Sequence, residues 1–267
     1  MKISNSNEIE AKLKNIPFLK LDVDFDFDGI KEEILSNSVW YDYIPPYFKL
    51  TPEVKERHKN YKHFTISTVD PSKKSSIVRE HFAWWTNPEK TEVQHYYDVP
   101  INNRNWYWTD IADKFPKLKD LILTITDKPI LCKIVKSGTE HSLGWHSHQN
   151  DSLIKWYNKP EQCIMHIPII TNSNVAHIVS KDMPADDKRL TFLTQDEYKN
   201  SDKFYIENFT EGSVWFFNGY WPHAYKNYST RMDRYTILFY SDLDDNPTIR
   251  NLMIRNIEKY NGPIITN

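Results

Sequence analysis

The sequence predicts a mostly β fold, a sandwich or barrel, with helices flanking it. Three observations carry that prediction. Between residues 129 and 240, short apolar runs recur between turn-forming residues. Stripes with helical spacing lie outside this stretch, before it and after it. The chain has only 6 Gly and neither a P-loop nor a dinucleotide fingerprint, which argues against Gly-rich phosphate loops.

Residues 1–125 read as a mixed α/β region packed on the barrel. Thr51-Pro52-Glu53 sets a capping residue, a proline at the first helical position and an acid in sequence, so a helix is expected there. Another is expected from Thr109-Asp110, because Ile111, Phe115, Leu118 and Ile122 form one apolar stripe. Residues 126–245 form the β core, with strands expected over 130–135, 163–170, 175–179, 204–206, 214–217 and 235–240. Inside it, 182–201 reads as a polar insertion with a short helix after Thr194. Residues 246–267 close the chain with a helix. Asn246 caps it, Pro247 starts it, Ile249, Leu252, Met253 and Ile257 form its stripe, and Gly262 stops it.

At 267 residues the chain can bury a full core. A net charge of −2 provides no global field for nucleic acid or an anionic membrane. No apolar run approaches the roughly 20 residues of a membrane span. The first ten residues lack the apolar core of a signal peptide. Cys132 and Cys163 are the only cysteines, too few for a disulfide framework, and a cytoplasmic location is expected.

Two segments concentrate the chemistry. The first runs V-W-F-F-N-G-Y-W-P-H from Val214, and an aromatic strand is expected to end at Pro222-His223, where a neutral imidazole nitrogen could bind a divalent metal. Arg234 follows, sharing a face with Thr236 and Leu238 by strand alternation. If that face is the interior, its guanidinium needs a carboxylate partner; if not, Asp233 or Asp242 would pair with it at the surface. The second segment is Trp145-His146-Ser147-His148, where an extended chain sets both histidines on one side. His166 lies mid-strand among apolar residues and is expected to be buried and hydrogen-bonded. Metal-binding imidazoles beside a carboxylate-binding guanidinium point to an iron site with an organic acid next to it. The aromatic residues around Trp84, Trp85 and Trp106 to Trp108 are expected to be mostly core.

Cys163 to Asn172, Glu211 to Asn218, Pro222-His223, Asn227 and Asp233-Arg234 resemble the aspartyl/asparaginyl β-hydroxylase group and its proline-hydroxylase relatives. The resemblance covers roughly residues 129 to 245. It implies a double-stranded β-helix (jelly roll, cupin-like) that holds Fe(II) and 2-oxoglutarate. It also implies a dioxygenase that hydroxylates an amino-acid side chain, free or peptidyl, or a small metabolite, releasing succinate and CO2. By the same resemblance His146 and His223 bind the metal, Arg234 grips the far carboxylate of 2-oxoglutarate, and His166 touches that cosubstrate. The family commonly has Asp two residues after its first histidine. His148 stands there, and His148, Asp151 or a water is expected as the third ligand. Ile164 replaces an arginine that holds substrate in many relatives. The His146, His148 and His223 set also fits a three-histidine cupin-like iron dioxygenase without 2-oxoglutarate, and a non-catalytic jelly-roll binding protein is a further alternative.

Overall fold

A computed structural model describes residues 6–42, 60–68, 84–86, 93–95, 105–146, 162–181, 192–243 and 246–265. In chain order the elements are α1 (Ser6–Leu13), β1 (Phe18–Leu21), α2 (Phe27–Asn37), β2 (Tyr41–Asp42), β3 (Tyr61–Thr68), β4 (Trp84–Thr86), β5 (Val93–His95), β6 (Tyr107–Trp108) and α3 (Pro116–Ile125). Then come β7 (Pro129–Ser137), β8 (Ser142–His146), β9 (Gln162–Ile170), β10 (Val175–Ser180) and α4 (Gln195–Lys199). The chain continues through β11 (Phe204–Glu207), β12 (Val214–Phe217), β13 (His223–Asn227), β14 (Arg234–Asp242) and α5 (Pro247–Lys259).

A large sheet has the order β1-β12-β9-β14-β7-β3-β2, with β6 beside β3. A smaller one has the order β11-β10-β13-β8, and β4 pairs with β5 separately. Every pairing within the two main sheets is antiparallel. From β7 to β14 the chain passes back and forth between the sheets. The order β12-β9-β14-β7 against β11-β10-β13-β8 is that of a double-stranded β-helix, a mostly β fold with flanking helices. Strands from the first part of the chain widen the large sheet at both edges, β1 beside β12 and β3 beside β7.

Side-chain alternation splits the large sheet. Cys132, Ile134, Met165, Ile167, Val214, Phe216, Ile237 and Phe239 point outward and form one core with Ile9, Ile30, Phe115, Leu118, Ile122, Ile249 and Met253 of the helical layer. Their partners on the same strands face the small sheet. That inner side is where the polar residues gather. No described helix is long and apolar enough to cross a membrane.

Several expectations change in detail. The helix expected from Thr109 opens at Pro116, because proline disfavours a helical Phe115, which sits at φ −128° and ψ 56°. A single 3-10 turn, Ala112–Lys114, fills the gap. The Thr109 hydroxyl donates to the Thr65 carbonyl of β3 at 2.7 Å instead of capping. The stripe itself is buried as expected. Asn246 does precede the last helix, but its side chain reaches away, donating to Thr126 Oγ1 at 2.8 Å and Ser241 Oγ at 3.0 Å. Asp127 receives the Thr248 N–H instead, at 3.1 Å. Thr194 and Glu197 form a full capping box at α4. Among the expected core aromatics, Trp106 and Trp108 meet edge to face at 4.8 Å, and Trp108 packs on the helical core. The helix expected at 51–53 lies outside the described residues.

Candidate active site

His223 begins β13 rather than ending an aromatic strand. The strand before it stops at Phe217, and residues 218–222 form a loop. That loop is fastened to the end of α1. Asn218 Nδ2 donates to the carbonyls of Leu13, Lys14 and Ile16 at 3.0, 3.0 and 2.9 Å. Its backbone N–H reaches Pro17 O at 3.1 Å, and Trp221 Nε1 reaches Lys14 O at 2.7 Å.

This anchoring orients His223, which is 4% exposed. Its Nδ1 lies 2.8 Å from Trp221 O. A carbonyl only accepts, so Nδ1 carries the proton and a neutral ring has its lone pair on Nε2. This is how proteins fix the tautomer of a metal-binding histidine. The Phe217 ring meets the imidazole edge to face at 4.8 Å. Directly opposite His223 on β8, as Cα partner, stands His146. The two histidines are thus brought to one strand pair from distant parts of the chain. His148 and Asp151 lie outside the described residues. Among the described residues no group of three His, Cys, Asp or Glu forms a ligand cluster.

Arg234 opens β14, opposite Ser137 of β7. It is 3% exposed. The surface alternative fails for Asp233, which bridges Lys136 at 2.9 Å. The guanidinium carbon lies 5.1 Å over the Tyr225 ring, a cation–π contact. Nη2 donates to Thr236 Oγ1 at 3.4 Å, whose own hydroxyl reaches Ile167 O at 3.1 Å. Nε has no hydrogen-bond partner. No carboxylate pairs with Arg234 among the described residues, and burial lowers its pKa, opposed only by the Tyr225 and Tyr61 phenols. Tyr225 in turn is held by Ser137, their hydroxyls 2.5 Å apart.

His166 faces the same interior from β9, level with Leu238 and Trp215. Its expected hydrogen bond is not made at Nδ1, which is enclosed and has no partner. Burial, then the Arg234 charge, holds its pKa well below the ordinary histidine value. In the sequence, His177 on β10 stands out only as part of an apolar strand. It sits 5.3 Å from His166, ring to ring, and is likewise held neutral by burial. Lys133 is also on this inner side, opposite Leu238, and burial pushes its pKa down to about 8. The signal that would have singled out His177 is the one that marked His166, a polar ring inside an apolar strand.

β13 carries both His223 and the residue that packs on Arg234, with a register shift between them. Tyr225, which carries Arg234 over its ring, is two residues beyond His223, a separation of about 7 Å along the strand.

No protein-family model and no curated protein matches the chain. Solved structures of similar shape include HygX from Streptomyces hygroscopicus with nickel and 2-oxoglutarate bound, at 10% identity and TM-score 0.42 over 91% of this chain and 89% of that one. An oxidoreductase of the 2OG-Fe(II) oxygenase family from Burkholderia pseudomallei has 11% identity and TM-score 0.42, over 89% of this chain and 90% of that one. SnoN, a non-heme α-ketoglutarate-dependent epimerase from nogalamycin biosynthesis, has 8% identity and TM-score 0.39, over 89% and 80%. Likenesses this distant carry no argument, and the strand order and site geometry stand without them.

Proposed function

We propose that the protein is an Fe(II)/2-oxoglutarate-dependent oxygenase that hydroxylates an amino-acid side chain, free or peptidyl, or a small metabolite. The observation that carries this reading is Arg234. A guanidinium enclosed between two sheets, with an unmet Nε and no carboxylate beside it among the described residues, is costly unless a ligand supplies the anion. A carboxylate matches its fork geometry.

The donor set also fits a metal. His223 presents a lone pair with its tautomer fixed, and His146 stands across from it. These two, with His148 or Asp151, would hold Fe(II). The metal and 2-oxoglutarate together supply the oxidising chemistry, with succinate and CO2 as the by-products. The chain's own contribution is placement. Arg234 and Thr236 bind the far carboxylate, and the Trp221 carbonyl keeps the His223 ring from turning. Phe217 covers the imidazole and restricts water around it.

The test is succinate release by purified protein supplied with Fe(II), 2-oxoglutarate and O2. Release above the metal-free control is expected, and its loss in His223→Ala and Arg234→Met. Oxygen uptake indifferent to 2-oxoglutarate would favour the three-histidine cupin alternative. Neither product nor uptake in any preparation would leave the non-catalytic reading.

A further inference from the structure

His177 lies mid-strand in β10, with Tyr225 of β13 on one side and Glu207 of β11 on the other as Cα partners. Its chain neighbours Ala176 and Ile178 pack outward with Trp145 and Tyr198. His177 therefore faces the interior. It is 1% exposed. The ring stacks on Phe209, centroids 3.9 Å apart and planes 14° apart. Stacking directs the two nitrogens sideways, along the ring plane. Other rings around it are His166 at 5.3 Å, Tyr225 at 5.3 Å and Phe217 at 5.9 Å, centroid to centroid, all steeply inclined to it.

Neither ring nitrogen of His177 makes a hydrogen bond of good geometry, although the backbone of Glu207, its partner on β11, acts on the ring. A buried polar atom left unmet costs about 1–3 kcal/mol. His166 Nδ1 and Arg234 Nε share this condition. Unmet polar atoms on β9, β10 and β14 thus converge from both sheets on one interior. Apolar packing would have excluded such side chains, and nothing in the surrounding rings satisfies them.

His177 and Arg234 both pack on Tyr225, and the Arg234 charge acts on the imidazole. The guanidinium lies 5.1 Å from the centre of that ring and the imidazole 5.3 Å from it. We propose that His177 is a second binding residue for the organic acid, its neutral ring N–H donating to the same carboxylate that Arg234 grips. This rests on the reading of the interior as an organic-acid site. A carboxylate offers about four acceptor positions, and a guanidinium fork occupies two. A neutral imidazole supplies a donor without adding a second positive charge beside Arg234. The pair recognises the carboxylate whether or not metal is present.

The experiment is calorimetric titration of 2-oxoglutarate, and separately of glutarate, into metal-free full-length protein. His177→Leu removes the donor and should weaken binding about tenfold or more. His177→Gln keeps an N–H and should stay within about threefold of the parent. Manganese binding without acid should be equal in all three proteins. Equal acid affinity in parent and His177→Leu would overturn the proposal. Binding of glutarate but not 2-oxoglutarate, with the His177→Leu loss intact, would keep it and discard the cosubstrate. Binding of neither acid by the parent overturns both. Should the variants fold poorly, nitrogen-15 histidine spectra of the parent decide instead. A slowly exchanging His177 N–H must appear on adding acid, and its absence rejects the role.

Discussion

The two faces of the large sheet are built from the same strands and behave as opposites. Outward, Ile134, Met165, Ile167, Ile237 and Phe239 are fully buried against helices. Inward, a single residue away along the same strands, stand Lys133, Ser137, His166, Arg234 and Thr236. One face is satisfied apolar surface. The other leaves polar atoms unmet. Stability and ligand capacity are therefore interleaved at one-residue spacing, separated only by the thickness of a backbone.

That contrast can be broken by substitution. Phe239→Ala on the outer face should cost about 3–5 kcal/mol in urea unfolding, since the ring is fully enclosed. The protein that remains folded should bind 2-oxoglutarate within about twofold of the parent, because the cavity opens away from the interior. Arg234→Met should do the reverse. Affinity for 2-oxoglutarate should fall about a hundredfold or more, close to 3 kcal/mol, by calorimetry. Stability should stay level or rise, because a buried charge without a described counter-ion is removed. A loss of several kcal/mol without ligand would show that Arg234 is structural and that the two faces are not so different.

The smallest effect sharpens the picture. His166 and His177 have folded-state pKa values depressed by burial and by the Arg234 charge. As pH falls below about 6.5, the unfolded chain takes up protons that the folded chain refuses. Stability should therefore decline with acidification, by up to about 1.4 kcal/mol per pH unit for each histidine. Above that pH both rings are neutral in both states and contribute no slope. Unfolding curves between about pH 7.5 and 5.5 test this. Phe239→Ala should keep the slope, whereas His177→Gln should reduce it.

Much of the fold is legible in residue order because the outer face is monotonously apolar. Strands β7, β9, β10, β12 and β14 announce themselves through Ile, Val and Phe. β8 and β13 do not, because S-L-G-W-H and H-A-Y-K-N mix small, charged and aromatic residues. Their strand character comes from pairing with each other and with β10, which no local pattern encodes. This is why His223 was expected at the end of a strand when it stands at the start of one. The site is legible where a motif marks it, as at Pro222-His223 and Asp233-Arg234. It is illegible where meaning arises across the interior. His177 in V-A-H-I-V looks like an ordinary core position until Tyr225, which carries Arg234, is brought against it from another strand. Ser137 likewise has no signature, and only register places it beside Tyr225 and Arg234.

The Asn218 amide, held by three carbonyls at the close of the first helix, has a consequence far from where it sits. The opening segment of the polypeptide acts as an abutment for the rim that presents His223. Severing the backbone just after Pro17 would spare every side chain lining the interior and yet release that rim. Tolerance to fusion or trimming at this end should therefore be judged by metal retention as well as by whether the barrel still folds.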